Sequence, residues 1–444
     1  MKNARVLLVD PPINKITIGA GMVSLNEPLA LEVLASVLHD FEVKILDMRI
    51  DPDLSTVLKD FNPDIVGITC FTTSVYTVKD IIKTVKLFDD KILTVVGGHH
   101  PTLVPEDFND EFTDIIVLGE GQFTFRELLE SHINHGNHKK IKGLAIPENG
   151  RLFYTGERNL ISNLDDSPLP DRKLTKKYRD KYFRGNWRPV ASIMTSRGCP
   201  FRCNFCSVWK EERGKYRVHS PERVVEELSN IDEKYVSISD DNFFHDINRA
   251  EEVYKLIKSK GIKKIYKLIG RSDTIVKKPD LVEKWAEIGM KSVIIGFESF
   301  RDEELVSINK HCSVNQNNEA INILIKNNIT VSGHFIVNPN YSEEDFKALG
   351  DYVEEMKIDE PVFCILTPLP GTVLYEEKKN ILTTNNYELF DLIHAVLPTR
   401  LSINDFYRQY AELYKRFYVR NKQDNPGRSF VTAEVIDKIW FDGN

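Results

Sequence analysis

Cys199-Pro200-Phe201-Arg202-Cys203-Asn204-Phe205-Cys206 places three thiols within eight residues. The stretch follows the apolar run Val190, Ala191, Ile193, Met194 and the turn residues Ser196, Arg197 and Gly198. The loop therefore leaves a buried strand and presents its thiols together. Three thiolates can hold three irons of a cubane, leaving the fourth iron open to a small molecule, unlike the four-cysteine sets of electron-transfer clusters. A structural zinc site needs four ligands and usually pairs CxxC units, and no second CxxC exists here. Disulfides fit less well still, because three clustered thiols cannot all pair.

CxxxCxxC with an aromatic residue, Phe205, before its last Cys resembles the signature of radical S-adenosylmethionine (SAM) enzymes. The resemblance implies a 4Fe-4S cluster on Cys199, Cys203 and Cys206, with SAM chelated at the open iron. It also implies reductive cleavage of SAM to methionine and a 5′-deoxyadenosyl radical, with an external flavodoxin- or ferredoxin-type electron donor.

Outward from this loop, residues 190–380 repeat strand and helix. Strand-like runs at Val190 to Met194, Val236 to Ile238, Ile265 to Ile269, Ser292 to Ile295, Thr330 to Val337 and Val362 to Leu366 alternate with helical patterns near 221–231, 248–259, 279–288, 315–327 and 343–355. Six βα units predict a partial (β/α)6 TIM-like barrel with its site at the carboxyl ends of the strands. That is the fold the resemblance implies. Strand ends then supply further candidates. The resemblance places the SAM amino group near Asp240 and Asp241, and two carboxylates suit an ammonium. Arg271 offers a fork for a carboxylate, with Asp273 beside it. Gly296-Phe297-Glu298-Ser299 is similar to the family's GxES segment, which makes Glu298 a SAM contact.

Residues 1–150 read as a five-stranded α/β domain, with strands at Val6 to Val9, Val43 to Leu46, Ile65 to Thr69, Leu93 to Val96 and Ile115 to Leu118. The helical stretch Leu29 to His39 has the spacing of a helix packed on a sheet, and such crossovers make the sheet parallel. The loops after the strands are rich in Gly, Thr and His: Thr69 to Ser74, Gly97-Gly98-His99-His100-Pro101-Thr102 and Gly119-Glu120-Gly121. All fall at the carboxyl edge of a doubly wound parallel sheet, where such folds bind ligands.

This pattern, GGxxPT followed by GEG, resembles the cobalamin-binding domain that precedes the radical SAM domain in one class of these enzymes. The resemblance makes Thr69, Thr72, Gly97, Gly98, His99, Thr102, Gly119, Glu120 and Gly121 candidate cobalamin contacts, with His100 a further one. The DxHxxG motif of other cobalamin proteins is absent; the second strand leads into Asp47-Met48-Arg49-Ile50-Asp51-Pro52.

Residues 151–189, with Ser167-Pro168-Leu169-Pro170 and a charged, aromatic run, read as a linker. Residues 381–444 read as a C-terminal helical region. Ile403, Phe406, Tyr407, Tyr410, Leu413, Tyr414, Phe417 and Tyr418 make an apolar stripe at helical spacing, which is core before it is anything else.

With 59 Lys plus Arg against 66 Asp plus Glu, the 444-residue chain has a net charge of -7 and no electrostatic footprint for nucleic acid. No apolar run is long enough to span a bilayer, and Met1 to Arg5 leads into a strand rather than a signal peptide, so a cytoplasmic protein is expected. Cys70, Cys312 and Cys364 are isolated and read as buried thiols. Together the two domains imply cobalamin-dependent C-methylation of an unactivated carbon in a small-molecule substrate. The alternative fate of the radical is cyclisation, ring contraction, dehydration or dehydrogenation.

Overall fold

Val6, Leu7, Leu8 and Val9 are all fully buried, as in a parallel strand covered on both faces. Val6 and Leu8 belong to one hydrophobic core and Leu7 and Val9 to another, so the period of two along the strand feeds two helical layers. The computed structural model describes residues 4–14, 16–17 and 23–419. The chain divides into two units: one of residues up to Thr17, Glu27–Arg179 and Asn386–Glu388, the other of the segment to Asn26, Asp180–Asn385 and the chain from Leu389.

The first unit holds strands β1 (Arg5–Asp10), β2 (Glu42–Asp47), β3 (Ile65–Thr69), β4 (Leu93–Gly97), β5 (Ile115–Val117), β6 (Leu144–Glu148) and β7 (Arg151–Tyr154), in the sheet order β2-β1-β3-β4-β5-β6-β7. The first five run parallel, with helices α1 (Leu29–Ser36), α2 (Leu54–Phe61), α3 (Val75–Phe88) and α4 (Gly121–Ile133) on the two faces. Gly67 lets a helix come close, since a Cβ there would meet Leu8 at 3.0 Å and Phe125 at 3.1 Å.

Two strands exceed the five read from sequence. β6 and β7 pair antiparallel through a two-residue turn, Asn149-Gly150, with φ of 50° and 75°. The stretch expected as a linker is also corrected. Its residues 151–154 are sheet, and Arg172 and Arg179 pair with the buried carboxylate of Glu27, next to Glu32, within the first unit. The charged run read as a linker is here an ion network on buried carboxylates, which holds the segment to the helix opening at Leu29.

The second unit holds six parallel strands in sequence order: β8 (Val190–Ile193), β9 (Tyr235–Ile238), β10 (Ile265–Gly270), β11 (Met290–Glu298), β12 (Thr330–Val337) and β13 (Glu360–Ile365). Among the described residues β8 and β13 are the sheet's edges and do not pair with each other, so the barrel is open. Helices α5 (Pro221–Ser229), α6 (Ile247–Ser259), α7 (Pro279–Glu287), α8 (Val314–Lys326) and α9 (Glu343–Glu355) fall close to the predicted periods. Ser342 and Asp345 form the capping box at the start of α9. The aromatic stripe of α10 (Ile403–Tyr414) is core, as its spacing suggested: the Tyr410 and Tyr414 hydroxyls donate to the Phe363 carbonyl of β13 at 2.5 and 2.8 Å. The rest of the expected C-terminal region, 420–444, lies outside the described residues.

Candidate active site

The cysteine loop leaves β8 and is fastened by its backbone. Asn204 N–H donates to Ile308 O at 3.1 Å and Leu374 N–H to Asn204 O at 2.9 Å. Asn309 Nδ2 donates to Arg202 O at 2.7 Å, and Trp209 Nε1 to Cys203 O at 3.1 Å. Cys203 is buried, and Cys199 and Cys206 are half-buried. Burial, reinforced by the neighbouring thiols and Asp241, pushes the Cys206 thiol up to about 12, and burial raises Cys199 against the pull of Arg271. These thiols stay protonated until a metal takes the proton's place. Among the described residues no group of three His, Cys, Asp or Glu is gathered tightly enough for a single metal ion, and three thiols that each hold a different iron need not be. A soft, three-thiol donor set on a pinned loop fits a cluster.

The strand ends divide into groups that face the site and groups that build its frame. Asp240 is fully buried and accepts from Thr195 N–H, Thr195 Oγ1 and Ser196 Oγ at 2.6, 2.6 and 2.7 Å. It anchors the entry to the cysteine loop and is no longer a candidate for an ammonium. Asp241 is exposed and accepts Gly198 N–H at 3.1 Å. Arg271, also buried, donates from Nε to Asp273 at 2.9 Å and from Nη2 to Lys310 O at 2.7 Å. Phe205 is half-buried in the loop.

Glu298 stands at an irregularity of the β11–β12 register with φ of 65°, a conformation that non-glycine residues hold only under constraint. Lys310 supplies the constraint: its Nζ donates to Glu298 Oε1 at 2.6 Å, and both groups are buried. A Cβ at Gly296 would collide with that same carboxylate, so the glycine is what admits it. Lys310, Phe201 and Trp209 were not legible as site residues. Lys310 lies on a loop after a short helix, Asp302–Ser307, with no strand-end signal of its own.

In the first unit, Thr69, Gly97, Gly98, His99, Thr102, Gly119, Glu120 and Gly121 gather at the carboxyl ends of β3, β4 and β5. Gly98 has φ of 105° and packs against Thr69 and Cys70; a Cβ would lie 2.9 Å from Thr69 Oγ1. Gly119, at φ of 73°, faces open space, where a Cβ would meet nothing within 4 Å. Thr102 bridges these loops, donating to Gly98 O at 2.7 Å and accepting from Gly119 N–H at 3.0 Å. A backbone cradle with an open side fits a large planar ligand.

Thr72, His100 and Glu120 serve the frame instead. His100 is buried, with Nδ1 3.2 Å from Thr72 Oγ1 and Nε2 2.8 Å from Asp107, so neither it nor the buried Thr72 offers a free group. Glu120 accepts Ile161 N–H at 2.7 Å. His99 stacks on the exposed Phe71, ring centroids 6.1 Å apart. Where other cobalamin proteins carry a His after a strand, Arg49 forms a fork on Asp47 at 2.8 and 2.6 Å and reaches Asp10 at 3.2 Å. Burial, opposed by Arg49, pushes the Asp10 carboxyl up to about 6.

Comparisons with known proteins agree with both halves. The family model for the radical SAM superfamily matches residues 193–353, and that for the B12 binding domain matches residues 17–129. The chain is 34% identical over 410 residues to hopanoid C-3 methylase of Methylococcus capsulatus, covering 89% of this chain and 77% of that one. It is 32% identical to an uncharacterized methyltransferase of Pyrococcus horikoshii, covering 95% and 94%. The solved structure of the cobalamin-dependent SAM radical enzyme OxsB superimposes over 99% of this chain and 70% of its own, with a TM-score of 0.75 at 15% identity. The chain belongs to the radical SAM superfamily, in the class whose radical SAM domain follows a B12-binding domain.

Proposed function

We propose that this protein is a cobalamin-dependent radical SAM methyltransferase that methylates an unactivated carbon of a small molecule. The observation that carries the reading is the union in one chain of a three-thiol loop at the end of β8 and a glycine-lined edge at the ends of β3, β4 and β5. When bound, the cluster supplies the electron that cleaves SAM to a 5′-deoxyadenosyl radical, and cobalamin supplies the methyl group.

Cys199, Cys203 and Cys206 hold the iron. Asp241 is the exposed carboxylate that meets an ammonium, and Glu298, oriented by Lys310, presents Oε2 to a hydroxyl. Arg271 holds the loop from behind. In the first unit Gly97, Gly98, Thr102, Gly119 and Gly121 shape the backbone cradle, with Thr69 and His99 as its polar contacts. We assign residues 1–150 to cobalamin, 190–380 to radical chemistry and 381–444 to shaping the acceptor site. The reductant is a flavodoxin- or ferredoxin-type protein, and the setting is the cytoplasm, where reducing conditions keep cysteines from pairing as disulfides. No helix among the described residues is long and apolar enough to cross a membrane.

The test is anaerobic reconstitution, gel filtration and measurement of cobalamin and iron per chain, followed by reduction with methyl-labelled SAM in a small-molecule extract. Near-stoichiometric cobalamin and label transferred to a metabolite are expected. 5′-Deoxyadenosine formed without transfer of label would overturn methylation in favour of cyclisation or elimination.

A further inference from the structure

Tyr266 and Leu268, Val236 and Ile238, Val293 and Ile295, and Phe335 pack in the helix-facing core. The residues that alternate with them, Ser237, Lys267, Ser292 and His334, therefore line the inner face of the barrel. This face is polar and rich in cations. Arg184 donates Nη1 to Ser237 Oγ at 3.0 Å, the one hydrogen bond of its side chain among the described residues, and no carboxylate of those residues lies within ion-pair distance of it. Lys267 is buried, with Nζ 3.2 Å from Glu360 and 5.6 Å from the Trp187 ring centroid.

Two further groups on the face make no hydrogen bond among the described residues. Ser292 Oγ is buried without a hydrogen bond, and neither ring nitrogen of His334 makes one. His334 pairs in register with Gly296, beside the Glu298–Lys310 pair. The lumen thus runs from Glu298 down to Lys267 and Ser292. Ser292 lies four residues below Gly296 on β11, a rise of about 13 Å. A guanidinium with most of its donors unused, a buried hydroxyl and a free imidazole facing one space are costly unless something occupies it.

We propose that the barrel lumen receives an anionic oxygen group, a carboxylate or phosphate of the methyl acceptor, on Arg184, Lys267, Ser292 and His334. The assignment rests on the methyltransferase reading for the identity of the ligand, but not for the existence of the site. A planar fork with free donors matches either anion in a bidentate manner. The neutral imidazole adds a donor from its N–H. Burial and the charges of Arg184, Lys267 and Lys310 hold His334 neutral, with its pKa lowered to about 4. The acceptor would then be gripped below the level of Glu298, with its reacting carbon toward the carboxyl ends of the strands.

The experiment uses the full chain and inorganic phosphate as the probe, at constant ionic strength made up with chloride. Thermal stability and calorimetric titration are compared for wild type, Arg184→Gln and Arg184→Lys. Phosphate is expected to bind wild type, to bind Arg184→Gln at least about tenfold more weakly, and to recover in part in Arg184→Lys. No binding to wild type, or equal binding to a folded Arg184→Gln, overturns the site. Should Arg184→Gln not fold, Ser292→Ala and His334→Asn carry the same comparison. In the labelled-methyl assay, label retained on an anion exchanger supports the acceptor's own anion, and a neutral labelled product overturns that part. The phosphate measurement needs no methyl transfer, so its failure is separate from failure of the methyltransferase reading.

Discussion

The guanidinium of Arg271 lies 3.5 Å from the centroid of the Phe201 ring, so a strand-end cation caps the middle of the cysteine loop. The same side chain holds the Lys310 carbonyl. It therefore couples the loop on β8 to the residue that fixes Glu298. A cation over an aromatic face contributes about 0.5–2 kcal/mol, more when desolvated.

Replacing Arg271 with Lys keeps the charge and loses the planar stack and one of its two anchored hydrogen bonds. Iron per chain after reconstitution should fall, and 5′-deoxyadenosine formation should drop about tenfold or more. Unchanged iron content and unchanged SAM cleavage would remove Arg271 from the support of the loop.

The Glu298–Lys310 pair leads to a double-mutant prediction. Lys310→Met leaves a buried carboxylate without its partner, a change that costs about 3–5 kcal/mol in comparable pairs. Lys310→Met combined with Glu298→Gln should regain part of that stability while abolishing SAM cleavage. Thermal melts of the two variants check the first half. If the double variant is no more stable than Lys310→Met, the pair is not the source of the loss.

What the sequence made legible here is what has a period or a motif. The strand and helix pattern of the barrel, the five parallel strands of the first unit and the three thiols all follow from spacing. Burial of polar groups does not. Asp240 and Asp241 are adjacent and chemically alike, yet one is saturated by Thr195 and Ser196 and the other is exposed and accepts Gly198 N–H. Only the direction of each side chain separates them. His100 looked as available as His99 until Thr72 and Asp107 were seen to take both of its nitrogens. β6 and β7 had a signal that went unused: Asn149-Gly150 between two extended runs is the common two-residue hairpin turn.

His334 gives the chain a defined response to acid. Its folded pKa is lowered to about 4 from the ordinary 6.5 by burial, then by Arg184, Lys267 and Lys310. The unfolded chain therefore binds the proton first, and stability rises with pH between those values. The stabilisation is full above about 6.5 and is lost as pH falls toward 4. His334→Asn should flatten this part of the stability profile, measured by denaturant melts at steps between pH 4 and 7. An identical slope in the variant would assign the acid sensitivity to other groups.

Gly198 sets how closely the cysteine loop can approach its support. Its φ is 89°, and a Cβ built there would run into the backbone carbonyl of Lys215, with Glu212 Cβ a further 3.0 Å contact. Backbone cannot swing aside as a long side chain can, and the left-handed conformation adds about 1–2 kcal/mol for a residue bearing a Cβ. The ladder between Ser196–Arg197 and Arg217–Val218, immediately before the first cysteine, has to open to relieve the clash. Gly198→Ala should therefore fold with its two main sheets intact by circular dichroism yet hold well under half the wild-type iron after reconstitution. A variant that fills its cluster normally would show that the approach to Lys215 is dispensable for presenting the three thiols.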